Sequence, residues 1–173
     1  MKKIIFYSRY FLLVIGLVTV FVACKPPVET AFQKQVAIPE ASWDYKFMPT
    51  FNFNIPDSTS KYKVFLIFRY DASFEFSNIW VRLKIKGPGD STYNMGNRIE
   101  TVLLTPDGSR LGNYVGGMYE YKIQLSEVKD YPVFKKSGDY SIQLEQVMRK
   151  NPLPGLINIG LRVESVNTKK PIS

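Results

Sequence analysis

The sequence contains no histidine, and Cys24 is its one cysteine among 173 residues. Histidine is the commonest general base near neutral pH and a frequent zinc or copper ligand, so its absence excludes Ser-His-Asp and Cys-His catalysis. A single cysteine excludes an internal disulfide. The fifteen carboxylates show no spacing typical of a glycosidase pair or a calcium loop. We therefore expect no enzyme, no metal site and no cofactor.

The sequence also lacks an apolar run long enough for a membrane-spanning helix, which needs about 20 residues. Residues 11–23 form a shorter stretch without charge, preceded by Lys2, Lys3 and Arg9. A basic start followed by a short apolar segment is typical of a signal peptide. We predict that residues 1–23 direct export from a bacterial cytoplasm and are then removed.

The signal segment ends with small or aliphatic residues directly before Cys24, a pattern that resembles the lipidation site of bacterial lipoproteins. Phe21 occupies a position where that pattern prefers leucine. We expect palmitate and diacylglycerol on Cys24, since more than one acyl chain is needed for stable membrane anchoring. The alternative is that Cys24 is an ordinary apolar residue at the end of an uncleaved anchor.

The chain is basic, with a formal net charge of +8. Removal of residues 1–23 takes away three basic residues and no acidic ones, which lowers the charge to +5. Lysine and arginine are scattered, so we expect no nucleic-acid partner. The charge indicates solubility first, and contact with anionic head groups, lipopolysaccharide phosphates or an acidic protein second.

Aromatic residues are abundant, with twelve Phe, eleven Tyr and two Trp, and these residue types favour strands. Pro26, Pro27 and Pro39 interrupt any periodic pattern before residue 43. We therefore interpret residues 24–42 as a lipidated cysteine and tether, and residues 43–173 as one β domain. The tether would let the domain stand away from the bilayer.

Seven segments show strand signals, either as alternation of apolar and polar residues or as short apolar runs between turn residues. They are residues 51–55, 62–70, 79–86, 98–104, 119–125, 140–147 and 157–164. Short strands at short spacings predict an all-β fold, a two-layer antiparallel β-sandwich of about seven to eight strands. A barrel is the alternative fold, and the last residues of the segment 140–149 could instead form a helix.

One strand carries a candidate binding surface. In residues 79–86 the apolar set alternates with Trp80, Arg82, Lys84 and Lys86. A tryptophan beside cations can stack on a sugar or meet an acidic surface, so Trp80, Arg82 and Lys84 form a possible partner surface. The alternative, which we favour, is that Trp80 covers the sheet edge or packs under a loop while the cations stay solvated. Trp43 is open to the same two interpretations, with packing favoured.

Several short stretches resemble the gliding motility lipoprotein GldH family of the Bacteroidota. They are the lipidation site at Cys24, Trp43, residues 55–57, Phe68-Arg69, Ser77-Asn78, and residues 144–149, 153–155 and 160–164. The resemblance covers nearly the whole chain after Cys24, and its two C-terminal parts are the most specific.

The resemblance implies a lipoprotein of the gliding motility and type IX secretion group without known catalytic activity. Its partners would be other cell-envelope proteins, and residues 25–27 lack the acidic cluster associated with export to the cell surface. That absence favours the periplasmic face of the outer membrane. Two hypotheses remain: a non-enzymatic accessory or scaffold protein, and a glycan-binding β-sandwich whose aromatic residues stack on sugars. Exposed aromatics clustered on one face would favour the second hypothesis, and buried, dispersed aromatics the first.

Overall fold

The computed structural model describes residues 30–125 and 134–166 of the chain. The strands are β1 (Thr30–Ala37), β2 (Ser42–Trp43), β3 (Thr50–Ile55), β4 (Lys61–Tyr70), β5 (Asn78–Lys86), β6 (Asn94–Val102), β7 (Asn113–Val115), β8 (Met118–Gln124), β9 (Gly138–Gln146), β10 (Leu153–Pro154) and β11 (Leu156–Val166). A 3-10 turn, Pro39–Ala41, joins β1 to β2. All seven segments predicted from the sequence are strands. The residues after β9 continue as a loop, so the helical alternative is wrong.

Two antiparallel sheets form the layers of the domain. One has five strands in the order β1-β11-β4-β8-β7, the other has four in the order β3-β9-β5-β6, and β2 pairs with β10 beside them. Apolar side chains from both sheets share one buried core, as expected when each layer hides one face. The prediction of an all-β sandwich is confirmed, with eleven strands rather than seven or eight among the described residues.

The alternating pattern of β5 determines which face of the four-stranded sheet is buried. Ile79, Val81 and Leu83 are buried, and the residues between them are half-buried. Successive side chains of a strand point to opposite faces, so Trp80, Arg82 and Lys84 lie on the outer face. Strand β4 differs because five consecutive residues, 64–68, are buried. On its outer side the Phe65 ring is covered by Lys122, whose Nζ lies 4.8 Å from the ring centroid.

The interpretation of residues 24–42 as a tether is wrong from Thr30 onward. Strand β1 pairs along β11 in antiparallel register, from Thr30 opposite Glu164 to Ala37 opposite Asn158. The Phe32 ring lies 5.2 Å from that of Phe53, centroid to centroid, which ties β1 to the other layer. A partly exposed edge strand needs little alternation of its own, because the neighbouring strand supplies its hydrogen-bond partners.

Trp43 is fully buried, and its indole Nε1 donates to the carbonyl oxygen of Phe47 at 2.8 Å. In the β2–β10 pair it lies opposite Leu153. The packing interpretation of Trp43 is therefore confirmed. Next to this pair, a Cβ atom at Gly155 would lie 2.2 Å from the backbone nitrogen of Phe74, so only glycine fits there.

The strand register defines two ends of the sandwich. Thr30 lies opposite Glu164, and Glu164 lies opposite Lys63, so β1 begins at the end where β4 begins. The short β3–β4 connection places Ile55 at the same end, and Ile55 pairs with Gly138 at the start of β9. We call this the entry end, because the described chain enters the fold there.

Candidate functional site

The predicted partner surface lies on the outer face of the four-stranded sheet, but its three members have different surroundings. Nη1 of Arg82 and Nζ of Lys84 lie 3.3 Å and 3.2 Å from the same carboxylate oxygen, Oε2 of Glu145 on β9. The side chains of Arg82 and Lys84 are only 20% and 18% exposed. These two cations are therefore paired and largely covered, contrary to the expectation that they stay solvated.

Trp80 lies apart from this ion pair, at the edge of a surface cavity with a volume of about 400 Å³. The cavity is formed by β5, by β6, by the residue Phe76 before β5 and by the loop that follows β9. Its lining residues are Phe76, Trp80, Arg98, Val147, Met148, Arg149 and Lys150. We call it the Trp80 cavity. Its volume is within the usual range of ligand pockets, ~300–1,000 Å³.

Contacts with the core and between backbones hold the apolar part of the Trp80 cavity in place. Phe76 packs edge to face on the buried Phe74 ring, with centroids 5.8 Å apart. The backbone nitrogen of Val147 donates to the carbonyl of Trp80 at 3.0 Å. The backbone nitrogen of Trp80 lies 3.3 Å from the sulfur of Met148. The cavity therefore has a fixed apolar floor.

The loop that forms one wall of the cavity is held at its base by the buried side chain of Gln146. Oε1 of Gln146 accepts from the backbone nitrogen of Met148 at 2.9 Å, and its Nε2 donates to Oδ1 of Asn151, also at 2.9 Å. The backbone nitrogen of Tyr45 donates to the same Oδ1 at 2.9 Å. Both ends of the loop are thus attached to the body of the domain, which makes the wall pre-organised.

The polar side chains of the Trp80 cavity are all cationic. Arg98, Arg149 and Lys150 are exposed, and none of them forms an ion pair with any residue in the described ranges. The neighbouring carboxylate is that of Glu100, opposite Trp80 on β6, and it accepts a hydrogen bond from the side-chain nitrogen of Asn78. The cavity therefore carries excess positive charge around an aromatic floor.

A second cavity of about 600 Å³ lies near the entry end of the same sheet, and most of its lining residues have polar side chains. Its side chains bond one another. Oγ of Ser141 donates to Oδ1 of Asn52 at 2.7 Å and lies 2.8 Å from the hydroxyl of Tyr93. Nδ2 of Asn54 donates to Oδ1 of Asp139 at 2.7 Å. Much of the hydrogen-bonding capacity of this cavity is therefore used internally.

Aromatic side chains mostly lie inside the sandwich. Trp43, Phe51, Phe68, Tyr70 and Phe74 are among the largest fully buried residues. Along the outer face of the four-stranded sheet, Trp80 and Tyr93 line two different cavities and form no shared platform. This distribution is the one that favours an accessory or scaffold protein over a sugar-stacking surface. On that outer face the glycan-binding alternative has no shared aromatic platform to support it.

Chemistry beyond binding finds little support in the residues that the structure describes. Within those ranges no three Cys, Asp or Glu side chains come together in a way that could hold a metal ion. Hydrogen bonds from Ser60 and Thr59 lower the pKa of Asp57, so this carboxylate stabilises the turn in which it lies.

Among the described residues no helix has the length and apolar character needed to cross a membrane. Cys24 lies outside the described residues, so its lipidation stays a prediction.

Sequence reasoning selected Trp80 but missed the other cavity residues. Arg98 is brought to the site by the pairing of β6 with β5, which sequence spacing does not reveal. A signal existed for the remaining cations, because Arg149 and Lys150 are adjacent in the sequence and follow the apolar pair Val147 and Met148. Met148 and Arg149 also belong to the stretch that carries the family resemblance.

A family model and the relatives of known name indicate the same family for this chain. The family model described as GldH lipoprotein matches residues 30–163. The gliding motility lipoprotein GldH of Flavobacterium johnsoniae is 26% identical over 131 residues, which cover 72% of this chain and 78% of that protein. A protein of Christiangramia forsetii named gliding motility lipoprotein GldH homolog is 29% identical over 130 residues, covering 70% and 76%.

Among solved structures, a carbohydrate-binding module specific for non-crystalline cellulose superimposes with a TM-score of 0.43 and 14% identity. The superposition covers 78% of this chain and 73% of the module. A likeness at that level carries no argument about the ligand.

Proposed function

Because the chain belongs to the GldH lipoprotein family, we propose that it is a lipid-anchored protein that serves gliding motility as a non-enzymatic accessory or scaffold component of the type IX secretion machinery. The observation that carries this proposal is the extent of the family match. It runs over residues 30–163, which include the strands of both sheets apart from the last three residues of β11. The resemblance therefore concerns the whole domain and not a local motif.

The anchor of the proposed protein is lipid on Cys24, with the domain on the periplasmic face of the outer membrane. Five residues separate Cys24 from Thr30, where the described fold begins. A chain spans at most ~3.3–3.6 Å per residue, so this connection reaches about 20 Å. The domain would be held close to the bilayer, with its entry end nearest the lipid.

A scaffold role is supported by what the domain offers chemically. The sequence has no histidine, and carboxylates such as Glu145 and Asp57 are engaged in an ion pair and a turn. Binding, in contrast, has a pre-organised site in the Trp80 cavity. Contact with other envelope proteins is therefore the activity that the described residues are best equipped to perform.

The test is a chromosomal deletion in the source bacterium, complemented with the wild-type gene or with Cys24→Ser. Cell movement on agar and the amount of type IX cargo in the culture medium are measured in each strain. We expect the deletion to reduce one or both, the wild-type gene to restore them, and Cys24→Ser to restore them poorly. In a host that does not glide, cargo secretion is the readout.

A deletion strain that moves and secretes like the wild type would overturn the proposed function. Full complementation by Cys24→Ser, with the protein found unlipidated in the periplasm, would leave the motility role and reject the anchor. Immunoblotting of separated inner and outer membranes tests the location. Recovery in the inner membrane would reject the outer-membrane assignment.

A further inference from the structure

We propose that the Trp80 cavity binds an acidic peptide segment of another envelope protein, with a bulky apolar side chain of that segment seated against Trp80 and flanking carboxylates paired with Arg98, Arg149 and Lys150. This inference rests on the proposed function, because it names the kind of partner that an anchored scaffold would hold. It assigns the binding to the Trp80 cavity and not to Arg82 and Lys84.

The lining chemistry selects an apolar and anionic ligand. Four lining residues supply rings, methyl groups or a thioether, and the three others are cations that can only donate hydrogen bonds. A neutral sugar presents hydroxyl groups that both donate and accept, and no lining side chain of this cavity is a strong acceptor. A carboxylate beside an aromatic or aliphatic side chain matches both halves of the lining.

The free charge at the cavity is unmatched within the described fold. Arg82 and Lys84 are already paired with Glu145, whereas Arg98, Arg149 and Lys150 form no ion pair in the described ranges. Glu100, the nearby carboxylate, is bonded to Asn78, so it offsets this charge only in part. Two or more acidic groups from a partner would complete the charge balance.

An anionic lipid would satisfy the same chemistry, so the position of the cavity decides between the two ligands. Lys86 is opposite Ser141 near the entry end, and Trp80 lies six residues further along β5. At about 3.3 Å per strand residue, the cavity is roughly 20 Å further from the entry end than Lys86. Under the proposed function, the bilayer that holds the Cys24 lipid would lie at the entry end, because a connection of at most about 20 Å joins Cys24 to Thr30. The cavity therefore faces away from that membrane, where a protein segment is the available ligand.

The cavity is also prepared for a tight contact. Its wall is attached through Gln146 and Asn151, and its floor through Phe76 on Phe74, so binding requires little ordering of the protein. A large aromatic side chain surrounded by exposed charges is the arrangement in which one central residue carries much of the binding energy. The peptide would therefore lose affinity both when Trp80 is truncated and when a rim cation is reversed.

The first experiment uses site-specific photocrosslinking in intact cells, with a benzophenone amino acid at Lys150 of the full chain and, as control, at Lys63. Lys63 is an exposed cation on β4 in the other sheet, at the entry end. The crosslinked fragment is sequenced by mass spectrometry. We expect Lys150, but not Lys63, to capture a segment that contains Asp or Glu beside an aromatic or aliphatic residue.

The second experiment measures affinity with two synthetic peptides that share one central tryptophan, flanked by Asp and Glu in the first and by Lys in the second. Fluorescence anisotropy of the labelled peptides reports binding to the full chain in detergent. The acidic peptide should bind and the basic peptide should not. We expect Arg149→Glu to weaken binding about tenfold or more, and Lys63→Glu, which changes the net charge equally, to leave it unchanged.

Each outcome decides the inference. A crosslink from Lys150 to lipid, to a segment without acidic residues, or to nothing overturns it, as does equal affinity of the Arg149→Glu and Lys63→Glu proteins. Thermal melting of the Arg149→Glu and Trp80→Ala proteins distinguishes a loss of binding from a loss of folding. If Trp80→Ala does not fold, Arg149→Glu still tests the inference, because Arg149 is exposed. If Arg149→Glu restores motility and secretion fully in the deletion strain, the cavity inference fails while the proposed function stands. If the deletion itself has no effect, the proposed function fails.

Discussion

Replacement of Leu83 by alanine tests the central structural claim, that one face of β5 supplies the core and the other the binding surface. Leu83 is 2% exposed and lies opposite Leu144, also buried, on β9. Removing buried methyl groups from a leucine costs about 2–5 kcal/mol, depending on how far the surroundings collapse. Strand β5 is bonded on both sides, by β9 and by β6, so little collapse is possible. We expect a loss of about 3–5 kcal/mol.

The close approach of β6 reinforces this estimate. A Cβ atom at Gly96 would lie 2.6 Å from the carbonyl oxygen of Leu83, so the two backbones are already in contact where the register shifts. A loss of 1 kcal/mol lowers the melting temperature by roughly 3–5 °C in a domain of this size. Leu83→Ala should therefore melt roughly 9–25 °C below the wild type.

The assay is thermal unfolding of the purified protein, followed by circular dichroism, with Val102→Ala as the matched control. Val102 is 49% exposed at the end of β6, and its truncation should cost about 0.5 kcal/mol or less. If Leu83→Ala melted within a few degrees of the control, Leu83 would not be a core residue. The assignment of Trp80, Arg82 and Lys84 to the outer face would then be wrong as well.

Two further predictions concern the anchor and the core. Cys24→Ser should abolish incorporation of radiolabelled palmitate, because the thiol that accepts the lipid is gone, and unchanged labelling would reject the lipoprotein assignment. Burial raises the pKa of Tyr70 to about 12, while its hydroxyl donates to the carbonyls of Leu103 and Leu111 at 2.8 Å and 2.5 Å. Between pH 10 and 12 the unfolded chain releases this proton and the folded chain keeps it, so the free energy of unfolding should fall as pH rises through that range. Urea unfolding measures the free energy of unfolding at pH 9 and at pH 11. Its decrease between the two pH values should be smaller in Tyr70→Phe than in the wild type, and an equal decrease would contradict the assigned cause.

The fold class could be predicted because alternation is a local property. Residues 51–55 and 79–86 alternate strictly, and in both strands the apolar set is the buried set, except that Ile85 is half-buried. Such a pattern requires one face to pack and the other to meet water, whatever the partner strand is. For the same reason the outer position of Trp80 followed from the sequence before any strand order was known.

Strand β1 could not be predicted, because its stability comes from elsewhere in the chain. Its hydrogen bonds are made to β11, which is more than 120 residues away in sequence, and its own burial is partial. Pro39 suggested a tether, yet it begins a 3-10 turn that leads into β2. This error mattered for function, since a fold that already includes Thr30 shortens the predicted connection to the lipid.

The sequence by itself determined a β-rich domain and the two faces of β5, and it predicted an exported, lipidated start, because each depends on residues close together in the chain. Only the tertiary structure decided which cations are free. Glu145 neutralises Arg82 and Lys84 because β9 lies beside β5, and Arg98 reaches Trp80 because β6 lies on its other side. Strand order and register are set by packing between distant segments, so charge balance at the surface is a property of the folded sandwich and not of any stretch of the sequence.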